Sequence, residues 1–181
     1  MKLKYLSVFV FFQGVLLYGQ NDSIIVKDNK KTFVNKTLNY ELTVPSNWIC
    51  TVGEANTYIL YSGPRIDSGY FKNDGSFAIT VEKLSRPASN EEAMEVNLSN
   101  IKDFTHMTNF KILDRKNVVF DNNTFLYVVY QGTASGVIFS SMQFYFVKED
   151  ILYVLGGTIP SETFGKYKEL YYAIASSFRL K

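Results

Sequence analysis

Four consecutive segments with strand character lie between residues 110 and 159, and they constrain the fold of the chain more than any other feature. They cover residues 110–120, 123–132, 136–147 and 151–159. The stretch FLYVVY, residues 125–130, is apolar at odd and even positions alike, whereas a sheet with one face in water alternates. The short links TASG and KED between the later segments are typical of hairpins. We therefore expect an antiparallel sheet whose middle is covered on both faces.

Two amphipathic segments predict the helices that could cover these faces. Ser89 and Glu92 form a capping-box pattern at the start of the first. The apolar residues of this segment recur at helical spacing: Met94, Leu98, Ile101 and Phe104. The second segment begins at Ser161, a candidate N-cap after Pro160. Its apolar residues follow the same rule: Phe164, Tyr167, Tyr171, Ile174 and Phe178. Helices packed on an antiparallel sheet indicate the α+β class, with layers in the order α/β/α.

The first half of the chain predicts shorter strands and one long loop. Strand character is found in residues 30–44, 57–62 and 76–84. Within the first of these, NYELTV alternates cleanly between apolar and polar residues. The stretch GPRIDSGYFKNDGS, residues 63–76, is rich in Gly, Asp, Asn and Ser, a composition typical of a loop.

The N-terminus has the layout of a secretory signal peptide. Lys2 and Lys4 precede an apolar run over residues 6–18, which at about 13 residues is too short for a membrane-spanning helix of roughly 20. We expect a leader over residues 1–19, a short tail over 20–30 and a single domain over 31–181. The protein is then exported, to the periplasm or the extracellular space.

The charge balance of the sequence argues against a nucleic-acid partner. The leader holds two of the 19 Lys and Arg residues and none of the 17 Asp and Glu residues, so the remainder carries 17 of each. A neutral chain lacks the basic footprint of a nucleic-acid-binding protein. We expect no nucleic-acid partner, a mature chain that does not span the membrane, and a monomer.

The reactive residues are too few for most catalytic and metal sites. His106 is the only histidine and Cys50 the only cysteine, whereas transition-metal sites usually combine several imidazoles or thiolates. A hydrolase would need His106 as its base, and no G-x-S-x-G motif accompanies it. We expect no catalytic residues, no metal and no cofactor. A helix-terminal or surface His106 and a buried, inert Cys50 are the favoured interpretations.

The long polar loop contains the candidate binding residues. Tyr70 and Phe71 are aromatic residues in an otherwise polar loop, and Arg65, Asp67 and Lys72 are close to them in the sequence. Exposed aromatic residues beside cations are typical of contact surfaces. We predict that these five residues bind a partner; the alternative is that the rings fold back against the domain.

The single tryptophan follows a turn that ends a strand, in the stretch NYELTVPSNW, residues 39–48. Pro45 lacks the N–H that would extend strand pairing, and Trp48 could then fold over one end of the sheet. The alternative is an exposed Trp that grips a sugar or a partner.

Three stretches of this sequence resemble motifs of the PsbP/Mog1-like superfamily. They are this turn, Tyr153-Val154-Leu155, and the C-terminal stretch IASSFR, residues 174–179. The resemblance covers roughly residues 33–180. It implies a layered α/β/α fold, as in the photosystem II extrinsic protein and many small exported bacterial domains. It also implies attachment to a larger assembly, or a place in the envelope without known catalysis.

The sequence thus leaves three functions open. The first is an exported, non-enzymatic accessory module that binds a protein assembly in the cell envelope. The second is a carrier of a small apolar ligand between the sheet and the C-terminal helix, suggested by the many aromatic residues. The third is a hydrolase that uses His106.

Overall fold

The structure, a computed structural model, describes residues 23–27, 29–36, 38–52, 57–61 and 75–181, with the backbone alone for residues 23–24, 49–52 and 57–61. The strands are β1 (Ser23–Lys27), β2 (Lys30–Asn35), β3 (Tyr40–Pro45), β4 (Ile49–Val52), β5 (Thr57–Tyr61), β6 (Ser76–Lys83), β7 (Thr108–Phe120), β8 (Asn123–Ala134), β9 (Val137–Lys148), β10 (Ile151–Pro160) and β11 (Arg179–Leu180). The helices are α1 (Asn90–Thr105) and α2 (Ser161–Ser176). The predicted leader, residues 1–19, lies outside the described residues and stays a prediction.

The seven-stranded sheet confirms the antiparallel arrangement predicted from the second half of the chain. Its strand order is β4-β5-β6-β10-β9-β8-β7, and every neighbouring pair is antiparallel. The central strands are covered on both faces, since all six residues of the FLYVVY stretch are buried. Both faces are buried because a helix lies on each side, and this fixes the α+β class with α/β/α layers.

Helix α1 covers one face, over β8 and β9. Ser89 caps it: its hydroxyl accepts a hydrogen bond from the Glu92 N–H, and the Glu92 carboxylate accepts one from the Ser89 N–H. These two bonds are the predicted capping box. The core on this side consists of residues from the helix and the sheet: Ala93, Met94, Leu98, Ile101, Leu126, Val128, Tyr130, Tyr145 and Leu152.

The opposite face packs against α2 and a second, four-stranded sheet of order β1-β2-β3-β11. Aromatic rings fill the space between them. The Phe178 ring lies 5.7 Å from that of Tyr40, 5.4 Å from Tyr153 and 5.8 Å from Phe125, measured between ring centroids. This is the larger of the two cores, and the small sheet closes it.

The turn after β3 confirms the core interpretation of the tryptophan. The Trp48 N–H donates to the Pro45 carbonyl at 3.0 Å, and the Ser46 N–H donates to the Asn29 carbonyl at 3.1 Å. These bonds fold the chain back, so that the Trp48 side chain is only 2% exposed and belongs to the larger core.

Two helix details differ from the sequence predictions. Pro160, and not Ser161, is the N-cap of α2. The Ser161 hydroxyl instead forms a hydrogen bond with the Ser140 hydroxyl at 2.8 Å and accepts one from Gln131 at 3.0 Å, because these strand residues lie within reach. Phe104 is 47% exposed, because the next residue, Thr105, takes the buried position in the last turn of α1.

Three short strands were not predicted: β1, β4 and β11. Strand β1 lies within the predicted tail, residues 20–30, and pairs with β2. Strand β11 pairs with β3, with Leu180 opposite Tyr40. Strands β4 and β11 have only four and two residues, too few to show a periodicity, and β1 lies in a segment interpreted as a tail.

Candidate functional site

The five predicted binding residues, Arg65, Asp67, Tyr70, Phe71 and Lys72, lie outside the described residues, so their contact role stays a prediction. The described chain resumes at Gly75, which packs closely against α2. A Cβ atom at Gly75 would lie 2.8 Å from the Tyr167 ring. The C-terminal end of the loop therefore joins the domain beside α2.

The two reactive residues do not form a site in the described part of the chain. His106 is the C-cap of α1, exposed and in the left-handed backbone conformation with φ of 49°. Cys50 is in β4, where the structure describes the backbone alone. No three His, Cys, Asp or Glu residues among the described ones are grouped as a metal site would require. No described helix is long and apolar enough to cross a membrane.

The described surface contains a groove of about 360 Å³ between α1 and the end of β6, which we call the α1 groove. It is lined by residues of β6, of the following segment, of α1 and of β10: Glu82, Lys83, Leu84, Ser85, Arg86, Ala88, Glu92, Ala93, Val96, Asn97, Asn100 and Leu152.

The groove exists because α1 covers only part of its sheet face. Glu82 pairs with Leu152 across β6 and β10, and residues paired in this way point to the same face. Leu152 is buried in the α1 core, whereas Glu82, one strand farther out, is half-buried. The sheet therefore extends beyond the helix and forms the floor of the groove.

Polar bonds hold the helix wall of the groove against the sheet. The Asn90 side chain donates to the Thr124 carbonyl at 2.9 Å and accepts from the Val147 N–H at 2.7 Å. Farther along α1, the Tyr145 hydroxyl donates to the Asn97 side-chain carbonyl at 2.9 Å. Burial raises the pKa of the Tyr145 hydroxyl well above its ordinary value, so it stays protonated, and a donor, in alkaline solution as well as at neutral pH. The wall is thus anchored at the N-terminus and at the middle of α1.

The charges of the groove are unevenly paired. Lys83 forms an ion pair with Asp150 at 3.6 Å, and Arg86 with Glu92 at 3.4 Å. The hydrogen bonds that Ser89 donates, together with Arg86, lower the pKa of the Glu92 carboxyl. Among the described residues, no cation forms an ion pair with Glu82, and burial raises the pKa of its carboxyl. The α1 groove therefore contains one carboxylate without a described counter-charge.

Replacing Glu82 by Gln should stabilise the protein at about pH 7 and have little effect at about pH 4. The folded-state pKa of Glu82 is raised above 4.5, its ordinary value. Protonated Glu82 is thus compatible with the fold, and stability is lost as the pH rises through the raised pKa. The glutamine variant removes this loss. Urea unfolding at the two pH values, with the exposed Glu95→Gln variant as control, measures the difference. A Glu82→Gln variant that is less stable than the wild type at neutral pH would contradict the assignment.

The most exposed apolar side chain of the groove is Val96, which is 60% exposed. It lies on α1 one residue before Asn97, so an apolar contact and an amide are adjacent at the groove. The edge strand β7 also exposes apolar residues, including Leu113 and Val119. That strand, however, carries register irregularities and the cations Lys111 and Arg115, features that protect an edge from pairing. The α1 groove is thus the better candidate for recognition.

Comparison with known proteins shows which solved structures share this fold. No protein-family model and no curated protein sequence matches the chain. Solved structures do match. A PsbP protein, CyanoP from Synechocystis sp. PCC 6803, aligns with a TM-score of 0.66 at 9% identity, covering 87% of this chain and 95% of that one. The Ran-binding protein Mog1p of Saccharomyces cerevisiae aligns with a TM-score of 0.61 at 10% identity, covering 90% and 96%.

A third structure is LpqN, involved in cell envelope biogenesis of Mycobacterium tuberculosis. It aligns with a TM-score of 0.56 at 10% identity, covering 89% of this chain and 91% of LpqN. The chain therefore has the PsbP/Mog1-like fold, as its turn and closing phrase predicted. Because a fold hosts many functions, the likeness alone assigns no activity.

Proposed function

We propose that this protein is an exported, non-enzymatic accessory module that binds a protein partner in the cell envelope. The observation that carries the proposal is the α1 groove, which presents an exposed apolar side chain and two amides on its helix wall, and on its floor a carboxylate without a described counter-charge. Such a mixture of apolar and polar groups is suited to binding a protein segment. The single histidine, His106, lies exposed at the C-terminus of α1 and does not line this groove.

The named structural neighbours support a binding role at the level of analogy. Mog1p is a Ran-binding protein, and LpqN is involved in cell envelope biogenesis. The signal-peptide layout of residues 1–19 agrees with a place in the envelope. In this proposal the fold serves as a binding module, and the predicted leader directs the chain to the export route.

Packing weighs against the carrier of a small apolar ligand. Between the large sheet and α2, the described side chains are in mutual contact, and the Phe77 ring lies 5.7 Å from that of Tyr171. Phe77, Tyr171 and Phe178 are at most 1% exposed. A ligand there would have to displace core rings.

A pull-down from native envelopes tests the proposal. The full chain, tagged after Lys181 and expressed in its own cells so that export occurs naturally, is captured and its partners are identified by mass spectrometry. A reproducible, saturable protein partner is expected. Recovery of a bound apolar small molecule without a protein partner would instead support the carrier.

The predicted loop provides a second test. Changing both Tyr70 and Phe71 to Ala should leave the melting temperature nearly unchanged and abolish the pull-down, because exposed contact rings contribute to binding and little to folding. The exposed Phe104→Ala variant at the end of α1 is the matched control for loss of an aromatic side chain. A large fall in melting temperature would place the two loop rings in the core.

A further inference from the structure

The α1 groove has a charge asymmetry that bears on what it binds. Its two cations extend towards solvent, with the Lys83 side chain 80% and the Arg86 side chain 71% exposed, and each has an acidic partner. Glu82 is half-buried on the groove floor without a described cation. The uncompensated charge is therefore negative and lies deeper than the positive charges.

The neighbouring polar groups do not satisfy this charge. Asn97 and Asn100 line the same groove from α1, but among the described residues no side chain donates a hydrogen bond to the Glu82 carboxylate, and burial is the only cause of its raised pKa. A partly buried carboxylate without a counter-charge is costly, and a cation that enters from outside offsets that cost. A ligand with a positive group on a long apolar stem would also contact Val96 and Leu152.

We propose that the α1 groove recognises a Lys or Arg side chain of the protein partner, with Glu82 as the carboxylate that pairs with it. This inference rests on the proposed function, since it names the chemistry of the partner at that groove. The methylene stem of such a side chain packs on the apolar groove residues while its head reaches Glu82. A basic segment of a protein is the occupant because the groove is open along the helix and does not enclose a small molecule.

A double-mutant cycle with peptides tests the inference. A phage-displayed library of random peptides is panned against the purified protein, against Glu82→Gln and against Glu95→Gln, an exposed α1 carboxylate outside the groove. The wild type and Glu95→Gln should both enrich peptides with a recurring Lys or Arg, whereas Glu82→Gln should not. Fluorescence polarisation should then show binding weakened on the order of tenfold by Glu82→Gln.

Replacing the recurring basic residue of the peptide by norleucine should weaken wild-type binding to the same degree and have little effect on Glu82→Gln, because the two groups act as a pair. Additive effects, or selected peptides without a cation, would overturn the inference.

The pull-down separates this inference from the proposed function. A partner captured equally by the wild type and Glu82→Gln would leave the function standing and overturn the role of Glu82. Peptide binding that depends on Glu82, without any captured partner, would leave that role standing and count against the function.

Discussion

Gly157→Ala is expected to destabilise the protein by about 3 kcal/mol, at the upper end for overpacking of a core. A Cβ atom at this position would lie 2.3 Å from the Ser76 carbonyl oxygen and 2.6 Å from Cε2 of the Tyr171 ring. The first neighbour is backbone of β6 and the second is a fully buried ring, so neither can move easily. Thermal unfolding should show a midpoint lower by roughly 6–12 °C.

Gly165→Ala is the matched control, since this glycine lies in α2 with open space around its missing Cβ. Here the same substitution should stabilise by about 1 kcal/mol, because alanine favours the helix. A Gly157→Ala variant as stable as the wild type would contradict the packing of α2 on the sheet.

Phe178→Ala should cost about 4 kcal/mol of unfolding free energy. The ring is 1% exposed and lies between those of Tyr40, Tyr153 and Phe125. Its removal leaves a cavity at the point where the small sheet, the large sheet and the end of α2 meet. Urea unfolding followed by tryptophan fluorescence is a suitable measurement, because Trp48 belongs to the same core.

Phe104→Ala is the control that shows whether the loss of stability depends on where the Phe side chain is removed. This ring is 47% exposed at the end of α1, so its removal should change stability by less than about 1 kcal/mol. Equal losses for the two Phe→Ala variants would contradict the assignment of Phe178 to the centre of the core.

The layered fold could be predicted because burial leaves a strong pattern in central strands. Continuous apolar character over residues 125–130 required a cover on both faces, and two amphipathic segments were available to provide it. The turn before Trp48 was recognisable because proline and the single tryptophan restrict where the chain can go. These patterns involve residues that are neighbours along the chain, so they can be recognised in a single sequence.

Other features depend on tertiary neighbours and could not be predicted. Ser161 has the side chain of an N-cap, but Ser140 and Gln131 on adjacent strands compete for its hydroxyl. Phe104 continues the helical period of α1, yet the polar Thr105 beside it takes the buried position in the last turn, which an apolar pattern does not reveal.

The candidate groove was missed for a similar reason. Glu82 lies on the less apolar face of the strand SFAITVEKL, together with Ala78 and Thr80, and this alternation was visible in the sequence. Whether that face is covered by α1 depends on strand order, which places β6 beyond the helix. The predicted loop, in contrast, was chosen by composition, and its role stays a prediction.

Site-specific photocrosslinking in native cells tests the central proposal most directly. A photoreactive phenylalanine analogue is placed at Val96, the exposed residue of the α1 groove, and separately at Lys168, an exposed position on α2. The proposal predicts one discrete protein adduct from position 96 and none from position 168. No adduct at position 96, or the same adducts at both positions, would contradict binding of a protein partner through the α1 groove.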